Sequence, residues 1–485
     1  MGLNSFYLII QLILLLAAVA ILQLLKHIVK SGVIVGRLQI ILLLVYSYYY
    51  ICSVDWRFAL CVVTDTLIAY CCGLLIFKSK RNGNDKKAQK ITIWGGIALV
   101  LILVYFKYTN FFIESFNAFF GCAVGTLNII LPLGISFFTF SALSYVIDVY
   151  RESCDAERNI IDFALYVVFF TKIMAGPIVR WTEFKPQIKN YRGVNLKTLN
   201  DGIQIFVFGL FKKMVLADHL GVFVDDVFQI PSAFNTGTVI LSAISYSLQI
   251  YLDFSGYSDM AIGLSKIMGF DFSPNFNLPY IARGFSDFWN RWHISLSKWF
   301  RDYLYIPLGG SRRGEVRTYI NLLVVMLVSG VWHGAGWTFI LWGILHGLGS
   351  CITRLIKKHQ NNNSKQKFVI KAIEVFATFF FVTLFWTIFR ADGMREWLAY
   401  SKALFTIHGG INQPYSWSFV TIVFVIVVTI IAIMRSKKMN QSRTDGFYPI
   451  MNLTKVWSLI MFFTICGLTI LLGYYGNTAF IYGGF

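Results

Sequence analysis

The sequence predicts an all-α polytopic membrane protein, and three observations lead there. Of 485 residues, 56% are hydrophobic and 17% aromatic, while only 14% are charged, where soluble chains carry about 25% charge. Apolar runs close to the ~20 residues that a helix needs to cross a bilayer recur along the whole length. Between them Lys and Arg gather in short blocks, the pattern of cytoplasmic loops. The net charge of +19, from 43 basic and 24 acidic residues, is therefore read as loop charge, and no nucleic-acid partner is expected. Secreted disulfide scaffolds and disordered tails are excluded as well. The eight cysteines form no C-x-x-C pair, so neither metal nor disulfide chemistry is expected.

The run 6–25 has no basic residue before it and Lys26, Lys30 and Arg37 after it. That charge order is the reverse of a cleavable signal peptide, so the run reads as a permanent span with its start outside. Residue 6 is Phe, so the myristoylation pattern is not met. Runs at 38–54, 58–77 and 91–110 follow. The last two are split by Lys78, Lys80, Arg81, Lys86, Lys87 and Lys90, which belong in the cytoplasm. Further runs lie at 124–147, 160–178, 202–217 and 237–265, with edges blurred by Gly, Pro and polar residues.

The stretch 270–317 is polar and rich in Trp and Arg, so it must be covered by protein or line a wet cavity. Apolar runs at 318–335, 337–351, 367–389, 417–434 and 457–475 complete the series. About eleven to thirteen crossings are expected, with re-entrant or interfacial helices besides. Basic blocks at 312–317, 354–371 and 435–443 lie two spans apart and can all be cytoplasmic, which leaves the tail 476–485 outside. The predicted organisation is N-terminal transmembrane helices over 1–110, a core over 111–351 containing the polar region 270–317, C-terminal helices over 352–475, and that tail. No fixed-period repeat and no inverted halves are found.

Of the seven histidines, His27 and His359 sit in basic blocks and read as solvated, and His408 lies in an external Gly-rich loop. His333 is different. It stands in a nearly uncharged segment, where an ionisable side chain is costly unless it faces the bundle interior or a cavity. A helix starting near Thr318 would carry it roughly 22 Å in, past the bilayer centre. Gly330, Gly334 and Gly336 leave room for helices or substrate to approach, and Ser329 and Trp337 are expected to flank it on one face at i−4 and i+4. The plainer alternative is a histidine that only hydrogen-bonds a neighbouring helix. His346 is read as a structural partner.

A second cluster runs from Ser286 to Arg301. On a continuous helix, Trp289, His293 and Ser297 share one face, and Asp287 pairs with Arg291 at i+4. The bland alternative is a helix lying in the membrane interface. The nucleophile elbow, P-loop, H-E-x-x-H and dinucleotide motifs are absent, which disfavours a soluble-type hydrolase or ATPase. A histidine base without a serine of its own suits transfer from an activated acyl group to an incoming hydroxyl.

Several blocks carry a family resemblance: Phe137-Phe138-Thr139-Phe140 to Asp148-Val149-Tyr150-Arg151, Ala175-Gly176-Pro177-Ile178-Val179-Arg180, and Asp253-Phe254-Ser255-Gly256-Tyr257-Ser258-Asp259. The series continues with Phe288-Trp289-Asn290-Arg291-Trp292-His293-Ile294-Ser295, Tyr305-Ile306-Pro307-Leu308-Gly309-Gly310 and Val331-Trp332-His333-Gly334-Ala335. In these blocks the chain resembles the membrane-bound O-acyltransferase superfamily, within it the bacterial alginate O-acetyltransferase branch, with the teichoic acid D-alanyl transfer proteins as cousins.

The resemblance implies a ring of tilted transmembrane helices around a central funnel, with re-entrant or interfacial helices, in a bacterial cytoplasmic membrane. It makes His333 the essential histidine and His293 its second, in a passage reached from both sides. Asn290, Arg291, Trp292, Trp332 and Ser329 are expected to bind substrate. Acetyl-CoA is the implied donor, with no permanently bound cofactor and no metal. The segment Phe480-Ile481-Tyr482-Gly483-Gly484-Phe485 is similar to an F-x-Y-x-x-F motif of bacterial members, which makes Tyr482 an acyl carrier. Its alternative is a frayed terminus resting aromatics on the membrane surface. An extracytoplasmic SGNH-type O-acetyltransferase would then take the group to a cell-surface polysaccharide, alginate-like, peptidoglycan or another exopolymer. Rival readings are D-alanyl transfer from a carrier protein, a transporter of lipid-linked glycan or acyl groups, and a scaffold for a polymer synthase.

Overall fold

The computed structural model describes residues 6–29, 32–191, 193–359, 368–438, 451–476 and 481. Helices account for most of them, and among the described residues no strand forms beyond a single bridge between Phe234 and Ile411. The chain divides into two compact units, one of residues up to 206 with 259–272, the other of 207–258 with 273–484.

In the first unit, helices α1 (Phe6–Val29), α2 (Gly32–Val54), α3 (Trp56–Arg81) and α4 (Asp85–Phe120) follow the first apolar runs closely. The basic block at 78–90 straddles the α3–α4 junction, its Lys and Arg on the facing ends of the two helices, and between them the Asn84 side chain caps α4 by accepting the Lys87 N–H at 3.0 Å. A Cβ on Gly73 would strike the Tyr145 ring at 2.6 Å, so the small residue lets α3 and α5 (Ile135–Tyr150) approach. The expected runs 124–147 and 160–178 are each shorter in helix. Residues 122–132 are irregular, and α6 (Ile160–Val168) is separated from α7 (Phe170–Ala175) by Phe169, whose φ of −50° and ψ of 114° break the helix. Helix α8 (Trp181–Lys189) returns Lys189 to Asp162 and Glu157, at 3.2 and 3.4 Å, beside the Arg37–Asp162 pair.

Helix α9 (Leu196–Phe211) leads into the second unit through a π-helical turn, Lys212–Ala217, and continues as α10 (Asp218–Gln229). Helix α11 (Thr236–Ile267) is long, but it carries many serines and two aspartates that are buried in protein. The polar stretch 270–317 is folded as short pieces: α12 (Phe285–Arg291), α13 (Ile294–Phe300) and a second π turn, Arg301–Tyr305. Helices α14 (Glu315–His333) and α15 (Trp337–His359) form a tight hairpin. Its glycines explain the closeness: a Cβ on Gly343 would lie 2.5 Å from the Met326 carbonyl oxygen, and one on Gly330 would lie 3.1 Å from Gly343 Cα. Helices α16 (Phe368–Arg390), α17 (Met394–Phe405), α18 (Ser416–Lys438) and α19 (Val456–Leu472) complete the chain.

Among the described residues seven helices are long and apolar enough to cross a membrane, and Ile10–Leu24, Ile135–Tyr150 and Val456–Leu472 are shorter apolar helices. That is fewer than the sequence predicts, because the runs at 160–178 and 202–217 are interrupted, by Phe169 and by the π turn, and because α11 is polar. The protein is an all-α, multi-pass membrane protein.

Candidate functional site

Three histidines of the second unit meet through aromatic rings. The His293 ring stands edge-on to Phe254 at 4.7 Å between centroids and faces Trp332 at 6.0 Å. Trp332 is 5.0 Å from the His333 ring, and His333 lies 5.1 Å from Trp342, nearly perpendicular to it. Trp342 in turn lies 4.6 Å from His346. The row therefore runs Phe254, His293, Trp332, His333, Trp342, His346, with Phe389 closing on His333 at 5.5 Å. The two histidines that sequence reasoning paired share the ring of Trp332, and His346, read there as a structural partner, stands at the other side of Trp342.

His333 is the last residue of α14, where the tight α14–α15 hairpin turns. The Gly334 position is filled by the Phe339 ring, so no side chain fits there. Ser329, one turn earlier, is buried on the same helix. Trp337 does not share that face. The helix ends at His333, and Trp337 begins the next helix with its side chain 59% exposed.

His293 is held differently. Trp289, His293 and Ser297 do not lie on one continuous helix, since α12 ends at Arg291, Trp292 is extended, and His293 adopts the left-handed conformation with φ of 42°. For a residue other than glycine this costs on the order of 1–2 kcal/mol, and such strain persists only where surroundings enforce it. Asn275 supplies much of that enforcement. Its carbonyl accepts the Ile294 N–H at 2.9 Å, its Oδ1 accepts from Ser295 Oγ at 2.7 Å, and its Nδ2 donates to Ser258 Oγ at 3.1 Å. Sequence reasoning missed Asn275 because it lies 18 residues from His293 and belongs to no periodic pattern.

The remaining residues expected to bind substrate are placed unevenly. Arg291 pairs with Asp287 at 2.9 Å, as its spacing predicts, and donates to the Asn277 carbonyl at 3.2 Å, so it braces the 275–277 loop. Trp292 is fully buried against Trp386 and Phe276, at 4.9 and 5.1 Å, in the wall behind the row. Asn290 is exposed on α12 and joins none of these contacts. Tyr482 lies outside the described residues. The His293 and His333 rings are 0% and 1% exposed, so the open passage expected for them is not present in this conformation. Trp332, Trp342 and Phe389 pack around His333. Among the described residues no group of His, Cys, Asp and Glu is arranged to hold a metal ion.

An ionisable residue at membrane depth is expected to be functional, and here two of them share one aromatic wall at the end of a glycine-packed hairpin. Residues 41–391 match the model of the membrane-bound O-acyltransferase family. The chain is 42% identical over 365 residues to a probable alginate O-acetylase, AlgI, of Pseudomonas putida, covering 74% of this chain and 73% of that protein. It is 39% identical over 346 residues to a peptidoglycan O-acetyltransferase of Helicobacter pylori, covering 65% of each, and 30% identical over 289 residues to a teichoic acid D-alanyltransferase of Streptococcus thermophilus, covering 55% of this chain and 69% of that one. The chain belongs to the membrane-bound O-acyltransferase family.

Proposed function

We propose that this protein takes an acetyl group from a cytoplasmic thioester, acetyl-CoA, and passes it across a bacterial inner membrane for O-acetylation of a cell-surface polysaccharide. The observation that carries the reading is the His293–Trp332–His333 row inside a chain that matches acetylating relatives at 39–42% identity. Similarity to the D-alanyl transfer protein is lower, at 30%, which favours acetyl as the group moved.

In this mechanism neutral His333 accepts the proton of an attacking hydroxyl as its oxygen adds to the thioester carbonyl. The tetrahedral intermediate collapses with loss of the thiolate, which takes the proton back from His333. His293 donates a hydrogen bond to the developing oxyanion in this reading, a contribution typically worth ~10²–10³ in rate. The attacking group is the Tyr482 phenol. A free phenol with a pKa near ~10 is a weak nucleophile at neutral pH, which is why an adjacent base is needed. The acetyl-tyrosine then gives its group to an extracytoplasmic SGNH-type transferase that modifies the polymer. Ser329 and Trp332 line the donor side of His333 in this reading.

Mass spectrometry of surface glycans from a deletion strain carrying plasmid-borne variants tests the proposal. Tyr482→Phe deletes only the hydroxyl and is expected to remove polymer acetyl groups. Full acetylation in that variant would end the carrier role. Loss of D-alanyl rather than acetyl mass on deletion would reassign the donor to a carrier-protein thioester.

A further inference from the structure

The π turn Lys212–Ala217 in the second unit is buried, closely fastened and not used by the proposed chemistry. The Lys213 ammonium lies between two carboxylates, 2.6 Å from Asp218 Oδ1 and 2.6 Å from Asp253 Oδ1, with all three side chains at most 3% exposed. Gly256 presses α11 onto this turn, since a Cβ there would lie 3.2 Å from the Lys213 nitrogen. A buried charge needs its remaining lone pairs satisfied, or the desolvation penalty outweighs the attraction. Asp253 meets that need in an unusual way. Its second oxygen, Oδ2, accepts the backbone N–H of Ile481 at 2.9 Å, from 228 residues further along the chain.

The same turn and the start of α10 hold the chain at the end of α19. The Met214 carbonyl accepts the Tyr474 N–H at 2.9 Å. His219, stacked on Trp417 at 4.1 Å, bonds the Leu472 carbonyl through Nε2 at 2.8 Å. Leu472 and Tyr474 are thus tied to residues 219 and 214, and Ile481 to Asp253, the ion-pair partner of Lys213. Residue 254, next to the anchor, is the phenylalanine whose ring meets His293. One turn of α11 therefore serves both the tail anchor and the wall of the histidine row.

We propose that Lys213, Asp218 and Asp253 form a docking clamp for the end of this chain, with Asp253 a positioning residue that holds Ile481, the neighbour of Tyr482, by its backbone N–H. The importance of this for transfer rests on the carrier reading of Tyr482; the docking itself does not.

The donor can be deleted without touching the clamp, because proline has no N–H. In full-length protein purified in detergent, chymotrypsin cleavage after Tyr474 and Tyr475, bonds that neither substitution adjoins, is followed by mass spectrometry for wild type, Ile481→Pro and Ile481→Ala. Loss of a hydrogen bond to a charged acceptor is expected to speed cleavage about tenfold in Ile481→Pro relative to Ile481→Ala, which keeps the N–H. Asp253→Asn, which breaks the Lys213 pair, is expected to speed it similarly. Equal cleavage rates in Ile481→Pro and Ile481→Ala would overturn the clamp, whatever the stability of Asp253→Asn. Surface-polymer acetylation by the same variants separates the two ideas. Faster cleavage in Ile481→Pro together with full acetylation by Tyr482→Phe leaves the clamp standing and removes the carrier.

Discussion

Helix α18 and the stretch from Ser273 to Gly310 belong to the same unit, yet they are built by opposite rules. Helix α18 runs unbroken for 23 residues, and only 11% of its most apolar window is buried in protein. Such a span needs nothing but apolar side chains and its own backbone hydrogen bonds. The other stretch contains two seven-residue helices, a π turn, and two of the three non-glycine residues with positive φ among the described residues, Leu278 and His293. Its backbone is satisfied by non-helical partners elsewhere in the same stretch, such as Asn275 and Arg291. Irregular backbone in a membrane protein persists where other protein covers it. The difference teaches that the regular parts of this molecule are replaceable in detail, while the irregular part is specified residue by residue because its backbone depends on particular partners.

The largest expected effect lies on His333. Removing a general base costs typically ~10²–10⁴ in rate, so His333→Ala is expected to bring polymer acetylation to background while the protein remains in the membrane at normal amount. The same substitution at His346, which shares Trp342 with His333, sharpens the contrast. If His346 only fills the aromatic wall, His346→Phe keeps the ring and loses less than tenfold. A loss as deep as that of His333→Ala would make His346 a working member of the row.

Next in size is the hairpin that presents His333. At Gly343 a side chain would meet the Met326 carbonyl, which is backbone and cannot rotate away. Gly343→Val should therefore force α14 and α15 apart, at about 1–3 kcal/mol for overpacking. A lower melting temperature in detergent, together with reduced acetylation, is the expected outcome. An unchanged melting temperature would show that the hairpin has slack the contacts do not reveal.

Much of this arrangement was legible in the sequence. The apolar runs at 38–54, 58–77 and 417–434 became α2, α3 and α18, and the Lys-rich block at 78–90 marks the junction of α3 and α4. These are local statements, made by composition and charge. His333 was legible because an ionisable residue stands out in an apolar run. The left-handed turn at His293 was not, because a one-residue break is decided by hydrogen bonds from Asn275 rather than by any 3.6-residue period. For the same reason Trp289, His293 and Ser297 were expected on one face and are not, and Asn290 was expected to bind substrate and is exposed. The Asp253–Ile481 bond spans 228 residues and left no trace in the local pattern.

Asn275 gives a finer cut at the irregular region. Asn275→Ala removes the Oδ1 acceptor for Ser295 and the donor to Ser258 while leaving its backbone carbonyl on Ile294. A buried group left unsatisfied costs about 1–3 kcal/mol. If that strain relaxes through the bend, turnover falls about tenfold with little change in donor affinity, since His293 moves and the donor's other contacts do not. Asn275→Asp keeps the acceptor and should recover most of the rate. A fall in affinity alone would place Asn275 in donor binding instead.

The smallest effect is expected on α18, and it tests the other side of the contrast. Val423 is 59% exposed on that helix, facing what a bilayer would supply. Lipid tails are as apolar as a valine side chain, so Val423→Ala loses little packing against protein and creates no cavity. Substitutions away from cores and special backbone usually change stability by less than about 0.5 kcal/mol. Melting temperature and acetylation should both match wild type. A clear loss at Val423 would mean that this face is covered by a partner rather than by lipid, and α18 would then belong with the specified parts of the molecule and not with the replaceable ones.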